Sequence, residues 1–236
     1  MGWILFGLFF LFLMLGVPIS ISLGLSAVVS LLLFDFPLSM FPPVMYASLG
    51  KFTLLAIPFF ILAGVIMEYA GISKRLVTLA NVMVGHVTGG LAVVTVVVTC
   101  FFAAISGSGP ATVAAIGSIL IPAMVSAGYD KGFAAALMAS SGHVGIVIPP
   151  SIAFVVFGVL AEVSIGRLFI AGVVPGILLG ISLILVSLFL IRKQSATLVQ
   201  IPRSTWKQRW MAFKDAFWGL LTPVIILGGI YGGFVT

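Results

Sequence analysis

Residues 103–112 read Ala-Ala-Ile-Ser-Gly-Ser-Gly-Pro-Ala-Thr, a polar, glycine-broken turn between two long apolar runs. Upstream, residues 91–102 carry no charge and are rich in Val, Thr and Phe; downstream, 111–125 is again uncharged and helical in pattern. If both runs are helices in a bilayer, 106–110 is non-helical backbone between them. Lipid offers no partner to free N–H and C=O groups, so such backbone must be buried in protein or line a wet cavity. A second break of this kind follows at 140–151, Ser-Ser-Gly-His-Val-Gly-Ile-Val-Ile-Pro-Pro-Ser. Two interrupted apolar elements close together in sequence point to a transport site.

The composition places these breaks in a membrane. Hydrophobic residues make up 62% of the chain and charged residues 7%, with a mean hydropathy of +1.36. A soluble domain carries about a quarter charged residues. The runs are long and nearly charge-free, and the period-two alternation of a membrane barrel is absent. The fold class is therefore all-α, a polytopic membrane protein with a re-entrant helical hairpin and a broken transmembrane helix. The net charge of +6 is no sign of nucleic acid, because six of the eleven basic residues fall within 192–214. Clustered Lys and Arg in a short loop mark the cytoplasmic side. Cys100, inside an apolar run, reads as a small packing residue. The first twenty residues lack the basic start of a secretory signal and read as a retained membrane segment.

Along the chain, 3–34 is apolar for about 32 residues, too long for one untilted crossing. Gly16-Val17-Pro18 interrupts it, so one kinked helix or two short ones fit, and two short ones are preferred. Residues 35–50, with three prolines, read as a loop with an interfacial piece, and 51–70 as a span kinked at Pro58. Residues 71–86 mix basic and apolar side chains as an interfacial amphipathic arm does. The apolar arms 91–105 and 111–125 are about 15 residues each, roughly 23 Å, shorter than the hydrocarbon core. A hairpin that enters and leaves on one side is the better fit. The second broken element has halves 131–141 and 151–161. Residues 167–191 form an unbroken span if Pro175 is tolerated, 192–215 a polar loop, and 216–231 the start of another helix. With that loop inside, Lys74, Arg75 and Lys131 are also inside, the hairpin opens to the cytoplasm, and 35–50 lies outside. The chain ends without a polar tail, the mark of a protein cut short or of one half of a larger one.

The organisation that follows is scaffold helices and arm over 1–87 and a transport part over 88–162. That part holds the hairpin (88–127) and the broken helix (130–162). A transmembrane helix (163–191), a basic cytoplasmic loop (192–215) and a last helix (216–236) complete it. At the breaks, 91–105 and 131–141 present C-terminal ends, where unpaired carbonyls and negative dipole ends gather. Residues 111–125 and 151–161 present N-terminal ends with free N–H groups, which suit a carboxylate. Hydroxyls of Ser106, Ser108, Thr112 and Ser151, with the carbonyls of Gly145 and Ile148, are hard oxygen donors. With no carboxylate in either break, they suit a monovalent cation better than Ca²⁺. Nine alanines around the breaks, Ala103 and Ala111 among them, let helices approach closely. His143 reads as a ring satisfied by nearby carbonyls, with a substrate or proton role as the other reading, and Glu68 as an interfacial carboxylate.

The motifs SGSGPATVAAIG (106–117) and GIVIPPSI (145–152) carry a resemblance. With SIGRLF (164–169), AGVVPG (171–176), AIPFFILAG (56–64) and IILGGIYGG (225–233), the chain resembles the DctM-like large membrane subunit of tripartite ATP-independent periplasmic (TRAP) transporters. The resemblance implies one repeat of an inverted-repeat, elevator-type fold of the ion-transporter superfamily, in the bacterial inner membrane. It implies sodium-driven import of an organic acid, a periplasmic solute-binding protein that delivers it, and a small four-helix membrane subunit. It also implies a Na⁺ held by Ser106, Ser108, Gly145, Ile148 and Pro150, and substrate contacts at Gly107, Gly109, Thr112, His143 and Ser151. No cofactor is implied beyond Na⁺ as coupling ion. His143 stands where the pattern leads one to expect a smaller residue. The family's large subunit is nearly twice this long, so 216–236 would open an incomplete second repeat, without the second hairpin and second Na⁺ site.

Two other classes compete with this reading. A carrier or channel of the same superfamily, working without a binding protein, differs by its indifference to that protein. An intramembrane enzyme would need a nucleophile–base pair or metal ligands at depth. The only histidines are His86 and His143, and no His-Glu-x-x-His occurs, so the chain reads as a non-enzyme.

Overall fold

The computed structural model describes residues 1–192 and 202–233. Every regular element among them is helical. The chain divides into two compact units, residues 1–52 and 53–236.

In the first unit, α1 (Gly2–Met14) and α2 (Ile19–Leu33) are separate helices that pack on each other, with Pro18 as the N-cap of α2. Of the two N-terminal readings, this is the pair of short helices. Pro18 has no N–H to continue α1, yet its fixed φ suits a helix start. Ser22, Ser26 and Ser30 recur every four residues on the buried face of α2, which lets a neighbouring backbone come close. A 3-10 turn (Leu38–Met40) leads to α3 (Phe41–Leu49), whose first turn accommodates Pro42 and Pro43.

A 3-10 turn, Phe52–Leu55, leads into α4 (Ala56–Tyr69), the first α-helix of the second unit. Pro58 falls in the first turn of α4, where its missing N–H had no intrahelical partner, so it starts the helix and does not kink it. Next come α5 (Ile72–Val84), α6 (Gly90–Ser106), α7 (Gly109–Ser126), α8 (Lys131–Val147), α9 (Ile152–Ala161), α10 (Ile165–Ile191) and α11 (Trp206–Tyr231). The apolar side of α5, Leu76 and Ala80, joins Val94, Val98 and Phe102 of α6, Ile116 and Leu120 of α7, and Met138 of α8 in one core. Its other neighbour is α11, where Gly219 leaves no room for a side chain against Ile72. A second core gathers Leu91, Ala92 and Val96 with Met124, Tyr129, Ala134 and Ile191.

Three sequence expectations are corrected here. The arms of the first break are 17 and 18 residues, and the interruption shrinks to Gly107 and Ser108. At about 27 Å, α7 is long enough to cross a membrane, so arm length alone does not argue for re-entry. The second interruption also contracts, to 148–151: α8 continues through Ser140, Gly142, His143 and Gly145 and stops only where Pro149 and Pro150 remove two N–H donors. Finally, residues 206–215 of the expected polar loop are helical. The side chain of Thr205 and that of Gln208 form a reciprocal capping box that starts α11 there. The remainder of that loop, 193–201, lies outside the described residues, as do 234–236. Among the described residues, four helical segments are long and apolar enough to span, and α8 with α9, bent by 42°, makes up to five.

Between α7 and α8, Gly128 turns the chain in the left-handed region at φ 92° and Asp130 caps α8 through Phe133 N at 2.8 Å. Tyr129 in this corner is buried, and its phenol is held by the backbone of Ala92 and Leu91 at the start of α6. Burial raises its pKa above that of a free tyrosine, against the lowering effect of those two bonds. Tyr129→Phe is expected to remove the phenol's bonds to the start of α6 and to cost about 1 kcal/mol. The measurement is the denaturant midpoint of the purified protein in detergent, and an unchanged midpoint counts against the anchor.

Candidate functional site

The site begins with how α6 ends. Pro110 has no N–H, so the carbonyl of Ser106 has no donor four residues on, which favours a stop here. Gly107 supplies the stop by adopting the left-handed conformation at φ 64°, with its N–H on the Ala103 carbonyl at 2.8 Å. Ser108 then caps α7, accepting from Ala111 N at 3.4 Å. The second break repeats the chemistry. Pro149 and Pro150 leave the carbonyls of Gly145 and Ile146 without donors four residues on, and Ser151 caps α9 by accepting from Phe154 N at 3.3 Å. The Pro149–Pro150 peptide is cis.

The hairpin arms are antiparallel: Thr95, near the start of α6, donates to the sulfur of Met124, near the end of α7, at 3.3 Å. The helix α8 packs against both arms, along a seam of small residues. A Cβ on Gly145 would overlap that of Ala103, and one on Gly109 would lie 2.7 Å from the Gly142 carbonyl. One on Gly117 would lie 3.2 Å from Met138 Cγ. Close backbone approach of this kind is what small residues give membrane helices.

That seam brings the two breaks together. The Gly107 carbonyl accepts the backbone N–H of Ile152, the first residue of α9, at 3.1 Å. A side chain on Gly107 would press on Ile152 N and the Pro150 carbonyl, both at 3.3 Å. The C-terminal end of α6 therefore meets the N-terminal end of α9, while the end of α8 lies beside Ala103.

Within the tip, three oxygens form a closed cluster. Ser106 Oγ lies 2.8 Å from Thr112 Oγ1, and Thr112 Oγ1 donates to the Ser108 carbonyl at 2.8 Å. Ser106 Oγ also accepts from Ser108 N at 3.3 Å. With Thr112 donating to Ser108 O and Ser106 donating to Thr112, both hydroxyl protons are used internally. Oxygen lone pairs remain, the ligand type a bare monovalent cation takes.

The predicted residues fall as follows. Ser106, Gly107, Gly109 and Thr112 are buried in the hairpin tip, with Ser108 half-buried between them. Gly145, Pro150 and Ser151 are buried at the second break, and Ile148 is half-buried. His143 is set apart on the exposed side of α8, its Nδ1 3.0 Å from the Ala139 carbonyl one turn back. Among the described residues, no three His, Cys, Asp or Glu side chains are grouped to hold a metal ion. Residue-by-residue reading overlooked Gly64. A Cβ there would lie 3.0 Å from Ser106 Cβ, so α4 rests its backbone on the hairpin tip. The signal was a glycine in the middle of an otherwise large-residue apolar helix.

Among the described residues, interrupted helices whose ends converge within an apolar helical protein define a helical membrane protein. A family model described as the DctM component of tripartite ATP-independent periplasmic transporters matches residues 6–236. The chain belongs to that family, which places it in the bacterial inner membrane as a multi-pass protein. It is 50% identical over 223 residues to a C4-dicarboxylate TRAP transporter large permease protein of Vibrio cholerae, covering 94% of this chain and 49% of that one. It is 48% identical over 234 residues to an isethionate TRAP transporter permease protein of Oleidesulfovibrio alaskensis, covering 99% and 37%. A sialic acid TRAP transporter large permease protein of Vibrio cholerae is 38% identical over 236 residues, covering 100% and 53%. The chain thus spans about half the length, or less, of these curated relatives.

Proposed function

We propose that this chain forms part of the large transmembrane subunit of a sodium-coupled secondary transporter. The transporter imports an organic acid delivered by a periplasmic binding protein and is braced by a small membrane subunit. The observation that carries this reading is the Gly107 O to Ile152 N bond, which joins two helix breaks into one polar spot among apolar helices. Sodium sits between Ser106 and Ser108 on one side and the backbone at Gly145, Ile148 and Pro150 on the other. The N-terminal ends of α7 and α9, at Gly107, Gly109, Thr112 and Ser151, receive the acid group. His143, on the exposed side of α8, contributes from the wall. The relatives named for isethionate, C4-dicarboxylates and sialic acid support an acidic solute. In this reading α6 and α7 are a re-entrant hairpin, and residues 88–162 move as the carrier part of an elevator. The small-residue seam between α8 and both hairpin arms supports such a rigid unit.

The test is solute uptake by the full-length complex in liposomes, with an inward sodium gradient and the binding protein outside. Uptake is expected to fall at least tenfold when choline replaces sodium or when the binding protein is omitted. Equal uptake without sodium removes the coupling, and equal uptake without the binding protein favours the independent carrier or channel.

A further inference from the structure

A second feature lies beside the hairpin tip, on its α4 side. A cavity of about 40 Å³ opens there, lined by Ile61, Gly64, Val65 and Glu68 of α4 with Phe102, Ser106, Ser108 and Ala111. The four α4 residues follow the i, i+3, i+4, i+7 spacing of one helix face, so the carboxylate shares the face that Gly64 presents to Ser106. The other lining groups from α4 are apolar. Among the described residues the Glu68 carboxylate has no hydrogen-bond or ion-pair partner, and the residue is exposed. Organic ligands occupy clefts of about 300–1,000 Å³. This one has room for roughly one to three waters, which admits a partly hydrated ion and excludes an organic acid. Its single charge is negative, and the other polar side chains are the hydroxyls of Ser106 and Ser108.

We propose that Glu68 is a capture group for a monovalent cation, drawing it into the cavity between α4 and the hairpin tip before Ser106 and Ser108 take it over. The inference rests on the sodium coupling proposed above and adds the entry point. Attraction by one exposed carboxylate is modest, and exchange of its charge changes the local cation concentration by about fivefold. It acts on affinity, because the carboxylate is left behind once the ion reaches the hydroxyls.

The experiment compares wild type, Glu68→Gln and Glu68→Asp in the full-length complex, at low and constant ionic strength with choline as balance. The readout is the sodium concentration for half-maximal uptake, checked by direct ²²Na⁺ binding in detergent. Glu68→Gln is expected to raise it about fivefold with the maximal rate kept within twofold, and Glu68→Asp to stay within twofold of wild type. A sodium-dependent wild type with an unshifted Glu68→Gln overturns the capture role alone. An equal rise in both variants assigns the effect to side-chain shape and overturns it too. A wild type indifferent to sodium overturns the coupling, and the capture role with it.

Discussion

Replacement of Gly145 by valine is expected to lower sodium-dependent uptake at least tenfold while leaving the protein folded. Gly145 is buried, and even a methyl group there would overlap Ala103 Cβ. Ala103 lies in the last turn of α6, three residues before Ser106, and its carbonyl holds the Gly107 N–H. The added bulk must push the end of α6 away from α8, and the tip moves with it. Overpacking of this kind costs about 1–3 kcal/mol, well inside a stability of about 5–15 kcal/mol. A coordination site is less forgiving, since it needs its ligands within about 0.5 Å. Uptake and sodium binding by the full-length complex, with helix content from circular dichroism as the folding control, decide the matter. Wild-type sodium dependence in the variant would show that α6 and α8 need not meet at this point.

The second large effect is expected for Thr112→Val, a near-isosteric change that removes one hydroxyl. Thr112 is fully buried, bonded both to Ser106 Oγ and to the Ser108 carbonyl. Its loss removes both side-chain bonds in a buried polar cluster, at about 1 kcal/mol, because the Ser108 carbonyl keeps the Thr112 backbone N–H at 3.1 Å. Ser106 Oγ must then turn its proton to the Ser108 carbonyl, 3.3 Å away, which changes the lone pairs offered to an ion. The half-saturating sodium concentration is expected to rise about tenfold, and Thr112→Ser, which keeps the hydroxyl, to stay near wild type. Valine and serine variants that behave alike would place the cluster outside the ion site.

Parts of this site were legible from residue types alone. The stops at Ser106 and Val147 are favoured by Pro110, Pro149 and Pro150, each of which denies a carbonyl its donor, whereas Pro122, Pro175 and Pro223 are accommodated inside α7, α10 and α11. Ser108 and Ser151 as N-caps follow in the same local way. The breaks were nonetheless read too wide, since Ser, Gly and His at 140–145 have modest helix propensity alone, and packing of Gly142 and Gly145 on α6 and α7 keeps them helical. Pro58 was read as a kink for a related reason. Only the true start of α4 shows that it occupies a first turn.

Composition by itself determined a helical membrane protein, and prolines beside glycine and serine at 107–110 and 149–151 marked where its helices break, because both depend on properties a residue carries into any fold. Which ends meet was decided by tertiary structure alone. Gly107 on Ile152, Ala103 on Gly145 and Gly64 on Ser106 are contacts between residues about 40 positions apart. Nothing in local pattern encodes such pairs; they exist because small residues on three helices happen to face one another when the cores of Leu76, Val98, Ile116 and Met138 close. The carboxylate of Glu68 shows the same division. Its place near the end of a helix was plain from sequence, and its place over the hairpin tip was not.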